Sequence, residues 1–264
     1  SGIKLFELRP DAAACQRLIT TAGACADTRE FALHSKSLVL DRRIVYVGSF
    51  NINLRSTYLN SETALIIDSP VLAEQIALSI DELMAALADA VAEGLVTAVG
   101  VSNFSAEEMR RAHAALARRG VALASNQVRY NALHRAPETD GVLDACRELG
   151  ASLLAYSPLE QGVLLGSYAP GRVPSGPRGE APWFAAEHLA AAMPVAALLR
   201  SLGAAEGEHP PEQVALNWLR AKPGVIPLAG ARNGEQAARN VGALGWTLSE
   251  AAVARIDEAT ARWR

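Results

Sequence analysis

The chain has 264 residues, half of them hydrophobic and a fifth charged, with a net charge of −3. That length can form one large domain or two ordinary ones around a real core, and the composition suits a globular protein. Acidic and basic residues are balanced both before and after residue 80, so neither part has the basic excess that favours nucleic acid or an anionic membrane surface.

The chain opens on Ser1 and Gly2 and runs straight into the strand pattern "IKLFEL". No charged-then-apolar leader is visible, so the expectation is no signal peptide and an upstream portion preceding this stretch. A loop-rich stretch follows, then two β-rich runs, "HSKSLVLD" and "IVYVGSFN", and a further strand in "ETALIID". "SPVLAEQIALSI" opens a helix, with Ser69 as N-cap and Pro70 as first helical residue. A second amphipathic helical pattern, "DELMAALADAVAEGL", abuts it at Ile80 and Asp81 and stops at Gly94. Domains normally join through an exposed flexible linker, so this junction looks like a splice.

From Val96 onward, strand and helix alternate four times. The strands are "VTAVGVSNF", "VALASNQVRY", "ASLLAYSPL" and "GVIPLAGARN"; the helices are "SAEEMRRAHAALARRG", "ETDGVLDACRELG", "PPEQVALNWLRAKPG" and "GEQAARNVGAL". Mostly apolar strands separated by helices indicate a parallel sheet covered by helices, an α/β fold. Residues 160–192 form a long Gly-, Pro- and Ala-rich excursion, a length that usually signals function. No apolar run is read as long enough to cross a bilayer. Cys15, Cys25 and Cys146 are odd in number and fit no metal-ligand spacing, which points to reduced thiols in the cytoplasm and to no bound metal.

Two constellations carry chemistry. The first is His34-x-Lys36-x4-Asp41-x6-Gly48-Ser49-x-Asn51. Residues two apart on a strand share a side, so His34 can face one point with Lys36, and Ser49 with Asn51. An imidazole attacks phosphorus as a nucleophile, while Lys and Asn stabilise charge on the non-bridging oxygens and Gly48 permits close backbone approach. Asp41 is a candidate to fix the imidazole tautomer. The pattern resembles the signature of the phospholipase D superfamily, and "NLRSTYLNSETALIIDSPVLAEQ" is similar to the segment that follows in cardiolipin-synthase-like members, with Glu62 at their acidic position. The resemblance covers about residues 3–80. It implies a phosphodiesterase or phosphatidyltransferase acting on a small-molecule or phospholipid-type phosphodiester, without a cofactor. Such enzymes use two motifs, one His as nucleophile and the other as general acid. This chain has one motif, since His113, His134, His188 and His209 sit in no second copy. A homodimer could supply the other.

The second constellation is the set "AVGVSNF", "NQVRYN", "AYSPLEQGVLLG", "EQVALNWL" and "IPLAGARNGEQAARN". In order and spacing it resembles the aldo-keto reductases over residues 81–264, which implies the second half of a (β/α)8 TIM-type barrel, its strands five to eight, with ligand residues at strand C-termini. The resemblance places Ser102, Asn103 and Gln127 at the nicotinamide carboxamide and Tyr156 stacked on the nicotinamide ring. It places Ser157, Leu159, Gly162 and Leu164 on the pyrophosphate-spanning loop. Gly230, Arg232, Gln236 and Asn240 match the region around the adenosine 2′-phosphate, where a helix N-terminus and an Arg fork suit a dianion; NADP(H) is therefore the expected cofactor. Plainer readings stand beside these. Ser105 and Glu108 form a capping-box pattern that could simply start a helix. Tyr156 could be core, Gln127 a capped turn, and Arg110, Arg111, Arg118 and Arg119 a solvated helix face.

The family's Asp, Tyr, Lys and His tetrad belongs to the first half of its barrel, and no Tyr acid or Lys maps onto this chain. The sequence thus reads as a phospholipase-D-like half-domain, residues 1–80, joined to an aldo-keto-reductase-like half-barrel, residues 81–264. Half a barrel is expected to expose two sheet edges and an apolar interior. The leading reading is a fusion or fragment of two enzyme families with NADP(H) binding. The alternatives are a homodimeric phosphodiesterase with a scaffold C-terminus and a chimera without integrated activity. A cytoplasmic location is expected, with peripheral membrane association left open.

Overall fold

The computed structural model describes residues 3–5, 36–40, 44–48 and 64–264, with side chains at 68–70 and from Ile80 onward, Pro177 excepted. The chain divides into two compact units, Ser1–Ser79 and Ile80–Arg264.

In the first unit, β1 (Ile3–Leu5), β2 (Lys36–Leu40), β3 (Ile44–Gly48) and β4 (Ala64–Asp68) form an antiparallel sheet in that order. Aliphatic and β-branched residues dominate these stretches, which suits a pleated surface. Register sets Lys36 opposite Gly48 and Leu40 opposite Ile44. His34, Asp41, Ser49, Asn51 and Glu62 lie outside the described residues, as do Cys15 and Cys25.

The two helical patterns that meet at Ile80 and Asp81 are one helix, α1 (Pro70–Ala92). Nothing stops it at the meeting point: Ser79-Ile80-Asp81-Glu82 has neither Gly nor Pro, so the backbone hydrogen-bond ladder continues.

In the second unit, β5 (Val99–Ser102), β6 (Leu123–Arg129), β7 (Ser152–Tyr156) and β8 (Val225–Pro227) form a parallel sheet in that order. The helices are α2 (Ala106–Ala117), α3 (Val142–Leu149), α4 (Ala186–Ala205), α5 (Pro211–Arg220), α6 (Gly234–Val241) and α7 (Glu250–Ala259). One face of the sheet, with Val101, Val128, Leu153 and Ala155, is buried along with Met109 and Leu116 of α2, Leu143 of α3 and Trp218 of α5. Each large side chain removed from water contributes about 1.5–3 kcal/mol.

The opposite face meets the expectation of an exposed apolar interior only in part. It presents Leu154, Tyr156 and Ile226 on β7 and β8, Ile226 among the exposed large hydrophobic side chains, and Ser102, Ser125, Gln127 and Arg129 on β5 and β6. Successive side chains along a strand point to opposite faces, so the residues turned away from the helices meet solvent on this side.

The helix-face arginines are also more than solvated charges. Arg111 and Arg118 both reach Asp81 (2.8 and 3.1 Å), Arg119 reaches Asp89 (3.1 Å), and Arg110 reaches Glu148 (2.7 Å). They tie α2 to α1 on one side and to α3 on the other. The Arg111 hydrogen bond is the main reason that the Asp81 carboxyl lies below its ordinary range.

Helices α4 and α7 go beyond the elements expected from periodicity. The excursion after β7 is a series of short 3-10 turns leading into α4, an Ala- and Leu-rich helix with Pro194 inside it. With a mean hydropathy of 1.3, α4 is long and apolar enough to cross a bilayer by length and composition, contrary to the expectation for the apolar runs. Leu189, Ala192, Val195, Ala196, Leu199 and Leu202 are nonetheless buried within the unit, as a core helix requires.

Cys146 is a free thiol on α3, and burial pushes its pKa up to about 11. A thiol protonated at neutral pH is a weak nucleophile. Among the described residues, no group of three His, Cys, Asp or Glu side chains could hold a metal ion.

Candidate cofactor site

A cleft of about 640 Å³ opens beside the C-terminal ends of β7 and β8. Its lining brings together Ser157, Leu159, Gly162, Gly230, Arg232, Gln236 and Asn240, from two segments some seventy positions apart in sequence. Leu164 is fully buried and does not line it. Its neighbour Leu165 does, because the tight turns of Glu160–Leu165 rotate the two side chains apart.

The backbone of the loop after β7 is unusual. Ser157, Glu160 and Gln161 have φ of 53°, 47° and 53°, and Gly162 has φ of 100°. The left-handed region disfavours residues bearing a Cβ, and such strain persists only where the surroundings fix it. Here Asn131, fully buried after β6, does the fixing: its Nδ2 donates to the Ser157 carbonyl (2.9 Å) and to the Glu160 carboxylate. Glu160, 1% exposed, also pairs with Arg129, whose guanidinium lies 4.6 Å from the Trp183 ring centroid. A buried carboxylate that meets both a cation and an amide donor tolerates its low-dielectric position.

The loop after β8 is held by its own side chains. The Gln236 carboxamide accepts from the Arg232 backbone N–H (2.9 Å), and Asn240 donates to the Gly230 carbonyl (3.2 Å). These two residues therefore shape the loop. Asn233 caps α6 by accepting from the Gln236 N–H (2.9 Å), so the positive end of that helix stands at the cleft.

Gln161, Arg178, Glu212 and Arg239 also line the cleft; Gln161, Glu212 and Arg239 fall within the sequence motifs, which do not single them out, and Arg178 lies outside them. Arg178 reaches across from the 3-10 turn Pro177–Glu180 to Gln161, whose side-chain and backbone oxygens accept at 3.2 and 3.1 Å. Glu212, 3% exposed, accepts from Arg239 at 2.5 Å through Oε1, while its buried Oε2 has no partner among the described residues. Arg178 lies in the Gly/Pro-rich excursion with no local signal that ties it to the cleft, whereas Glu212 opens the "EQVALNWL" motif at the start of α5.

Ser102, Asn103, Gln127 and Tyr156 sit at the C-terminal ends of β5, β6 and β7, outside the cleft lining. Ser102 Oγ (3.0 Å) and the Asn103 N–H (2.9 Å) both donate to the Gln127 carbonyl, and Asn103 adopts φ of 56°. These bonds tie the ends of β5 and β6 together and leave the Gln127 carboxamide on the half-exposed sheet face. Burial raises the Tyr156 phenol above its ordinary pKa, with Arg129 opposing and Glu160 adding to the shift. Its ring is thus neutral at physiological pH. The capping box is present as well: the Ser105 hydroxyl accepts from the Glu108 N–H (3.3 Å), and Glu108 accepts from the Ser105 N–H (2.9 Å). Helix start and strand-end site adjoin, so the plainer reading of Ser105 and Glu108 holds.

The cleft can take an elongated anion. The Arg178 and Arg232 guanidiniums and the α6 N-terminus offer sites for phosphate oxygens, and Glu212 Oε2 offers a buried acceptor for a hydroxyl. The profile of the Aldo/keto reductase family matches residues 50–261.

The chain belongs to the aldo/keto reductase family.

The family match begins at residue 50 rather than at the expected 81, and it overlaps a match of residues 6–84 to "Cardiolipin synthase, PLD-like domain". Among reductase relatives, the chloroplastic pyridoxal reductase of Arabidopsis thaliana is 37% identical over 60% of this chain and 42% of its own. An NADP(+) aldo-keto reductase of Schizosaccharomyces pombe is 32% identical over 68% and 53%. The NADH-specific methylglyoxal reductase of Escherichia coli is 33% identical over 65% and 51%. The chain spans about half the length of the curated relatives it matches. Among solved structures, a glycerol dehydrogenase from Gluconobacter oxydans superposes with a TM-score of 0.61 at 28% identity, over 69% of this chain and 54% of that one.

Proposed function

We propose that residues 80–264 form a reductase half-barrel that binds NADP(H) and carries no general acid of its own for carbonyl reduction. The observation that carries the binding is the cleft, which assembles two distant loops with guanidiniums, a helix N-terminus and a buried carboxylate at one place. When bound, the nicotinamide supplies a hydride to a carbonyl carbon. The chain's own residues hold and orient the cofactor: Arg232 and the α6 N-terminus address the 2′-phosphate, and Arg178 with the Ser157–Gly162 loop addresses the pyrophosphate. Gln127 and Asn103 address the carboxamide, and the neutral Tyr156 ring packs against the nicotinamide. Among the described residues, no Tyr hydroxyl pairs with a Lys as a proton donor for the carbonyl oxygen. Hydride transfer without that proton stalls. This reading makes the chain the cofactor-holding part of a fused or partial enzyme working in the cytoplasm.

The test is a titration of the full chain with NADPH, followed by cofactor fluorescence, alongside an aldehyde-dependent NADPH oxidation assay. Saturable binding without oxidation is expected. Absence of binding removes the cofactor reading, and aldehyde-dependent turnover in pure protein removes the claim of a missing acid.

A second reading concerns the first unit. The register that sets Lys36 opposite Gly48 places two fixed positions of the phosphoryl-transfer pattern side by side on adjacent strands. It supports a phosphodiesterase half-site with His34 as nucleophile, Lys36 and Asn51 on the phosphoryl oxygens, Asp41 and Ser49 in support, Glu62 nearby, and a second imidazole from another copy. Hydrolysis of a chromogenic phosphodiester should then fall to background in His34→Ala. Unchanged turnover in that variant would exclude the site.

A further inference from the structure

A second, smaller cavity of about 300 Å³ lies between α4 and the turns that follow β7, sharing Tyr168 with the cofactor cleft. Its apolar wall is Leu189, Ala192, Met193 and Ala196 of α4, and its rim carries Arg172 and Arg200. Both guanidiniums converge on Gly166. Arg172 Nη2 approaches the Gly166 carbonyl at 3.4 Å, and Arg200 Nη2 lies 2.5 Å from where a Cβ on Gly166 would stand. A Cβ there would push the Arg200 guanidinium aside, and the backbone at φ of +70° favours glycine.

Arg172 is held in place by a turn. Ala169 and Arg172 exchange backbone hydrogen bonds of 3.2 and 2.8 Å around Pro170-Gly171, with Gly171 at φ of +79°, the residue choice that stiffens a tight turn. Arg200 is anchored by its helix and hydrogen-bonds to the Ala196 carbonyl at 3.4 Å. Among the described residues, neither guanidinium forms an ion pair with a carboxylate. Most other described arginines do, including Arg110, Arg111, Arg118, Arg119, Arg129 and Arg135. Both arginines are exposed, so water screens much of their mutual repulsion, and an anion seated between them would offset the remainder. An apolar wall directly beneath them sets what else the anion must carry.

We propose that this groove binds a small anionic amphiphile, a carboxylate or phosphate head held by Arg172 and Arg200 with a short aliphatic chain along Leu189, Ala192, Met193 and Ala196. The volume stands at the lower end of small-molecule pockets, about 300–1,000 Å³. Charge-assisted contacts to the head fix orientation, and burial of the chain adds affinity. Neither arginine lines the cofactor cleft, so the site stands whether or not NADP(H) binds there.

The experiment is calorimetric titration of the full chain with hexanoate, hexyl phosphate, inorganic phosphate and hexanol. Saturable binding of hexanoate or hexyl phosphate is expected, with much weaker binding of inorganic phosphate and hexanol; which head binds more tightly separates the carboxylate and phosphate sources. Arg172→Gln and Arg200→Gln should each weaken the amphiphile about tenfold or more, while Arg255→Gln, an exposed arginine elsewhere, should leave it unchanged. Met193→Glu is the second line of test: at a side chain 49% exposed it adds a repelling charge to the wall without opening the core, and it should weaken binding similarly. The proposal fails if neither amphiphile binds saturably, if hexanol binds as well as they do, if inorganic phosphate binds as tightly, or if the arginine variants and Met193→Glu bind like the parent.

Discussion

Replacing Arg135 with alanine should destabilise the second unit by about 3–5 kcal/mol, the scale for removing one partner from a buried charge cluster. Arg135 is fully buried between β6 and α3, and each of its guanidinium nitrogens has a partner. It meets Glu138 at 2.7 Å and Asp257 at 2.9 Å, and Nη1 donates to the Asp257 carbonyl (2.8 Å) and to Thr260 Oγ1 (2.7 Å). Its guanidinium also lies 5.3 Å from the Trp218 ring centroid. It therefore joins α7 and the C-terminal turn to the sheet from a position far away in sequence. In Arg135→Ala, Glu138 and Asp257 lose their common cation, with Lys222 left to hold Asp257 at 2.7 Å.

The same cluster sets an acid response. Burial by itself would raise both carboxyls, but hydrogen bonds outweigh it, from Arg135 and Tyr130 to Glu138 and from Lys222 and Trp218 to Asp257, so both pKa values are depressed. Carboxyls depressed in the fold stabilise it fully above their ordinary values of 4.5 and 3.8, and that stability is lost as the pH falls through the folded values. Urea unfolding followed by tryptophan fluorescence should show this decline below about pH 4.5. The decline should be shallower in Arg135→Ala. A variant within about 1 kcal/mol of the parent at neutral pH would show that the cluster contributes no net stability.

Arg232→Ala should weaken NADPH about ten- to a hundredfold, the equivalent of a lost charge-assisted contact of about 1.5–3 kcal/mol, and should leave NADH nearly unchanged. The two cofactors differ by the 2′-phosphate alone, so their ratio isolates this guanidinium from any general damage to the cleft. Arg232 is exposed on a loop whose backbone Gln236 and Asn240 hold, so removing its side chain should not collapse the loop. Competition titrations on parent and variant provide the measurement. Equal weakening of both cofactors would move the 2′-phosphate away from Arg232. The relatives include one named for NADP(+) and one named NADH-specific, so the NADPH-to-NADH ratio is worth measuring on this chain directly.

Features that rest on neighbours along the chain are legible in the sequence itself. The mostly apolar stretches "VALASNQVRY" and "ASLLAYSPL" mark strands of a sheet covered by helices. Ser105 with Glu108 marks a helix start, whereas the Asn233 cap beside Arg232 became visible only in the structure. Helix α4 is hard to read because apolar residues surround it nearly all round and Pro194 interrupts it, so the contrast between faces that reveals a surface helix is weak. The abutting patterns at Ile80 and Asp81 mislead in the opposite way. A change of style in the sequence suggests a break where no residue breaks the helix.

The sequence by itself determined the four strands after Val96 and most of the helices between them, because period, caps and turn residues act over a few positions. The cleft residues of the Ser157–Gly162 and Gly230–Asn240 segments were legible only through the motifs shared with the aldo-keto reductases. Only the tertiary structure decided that Glu160 is buried against Arg129 and Asn131, that Arg135 reaches Asp257, and that Arg172 and Arg200 meet at Gly166. Each of these depends on strands and helices packing side by side, and a charge's energy is set by what surrounds it in space, which no local pattern encodes.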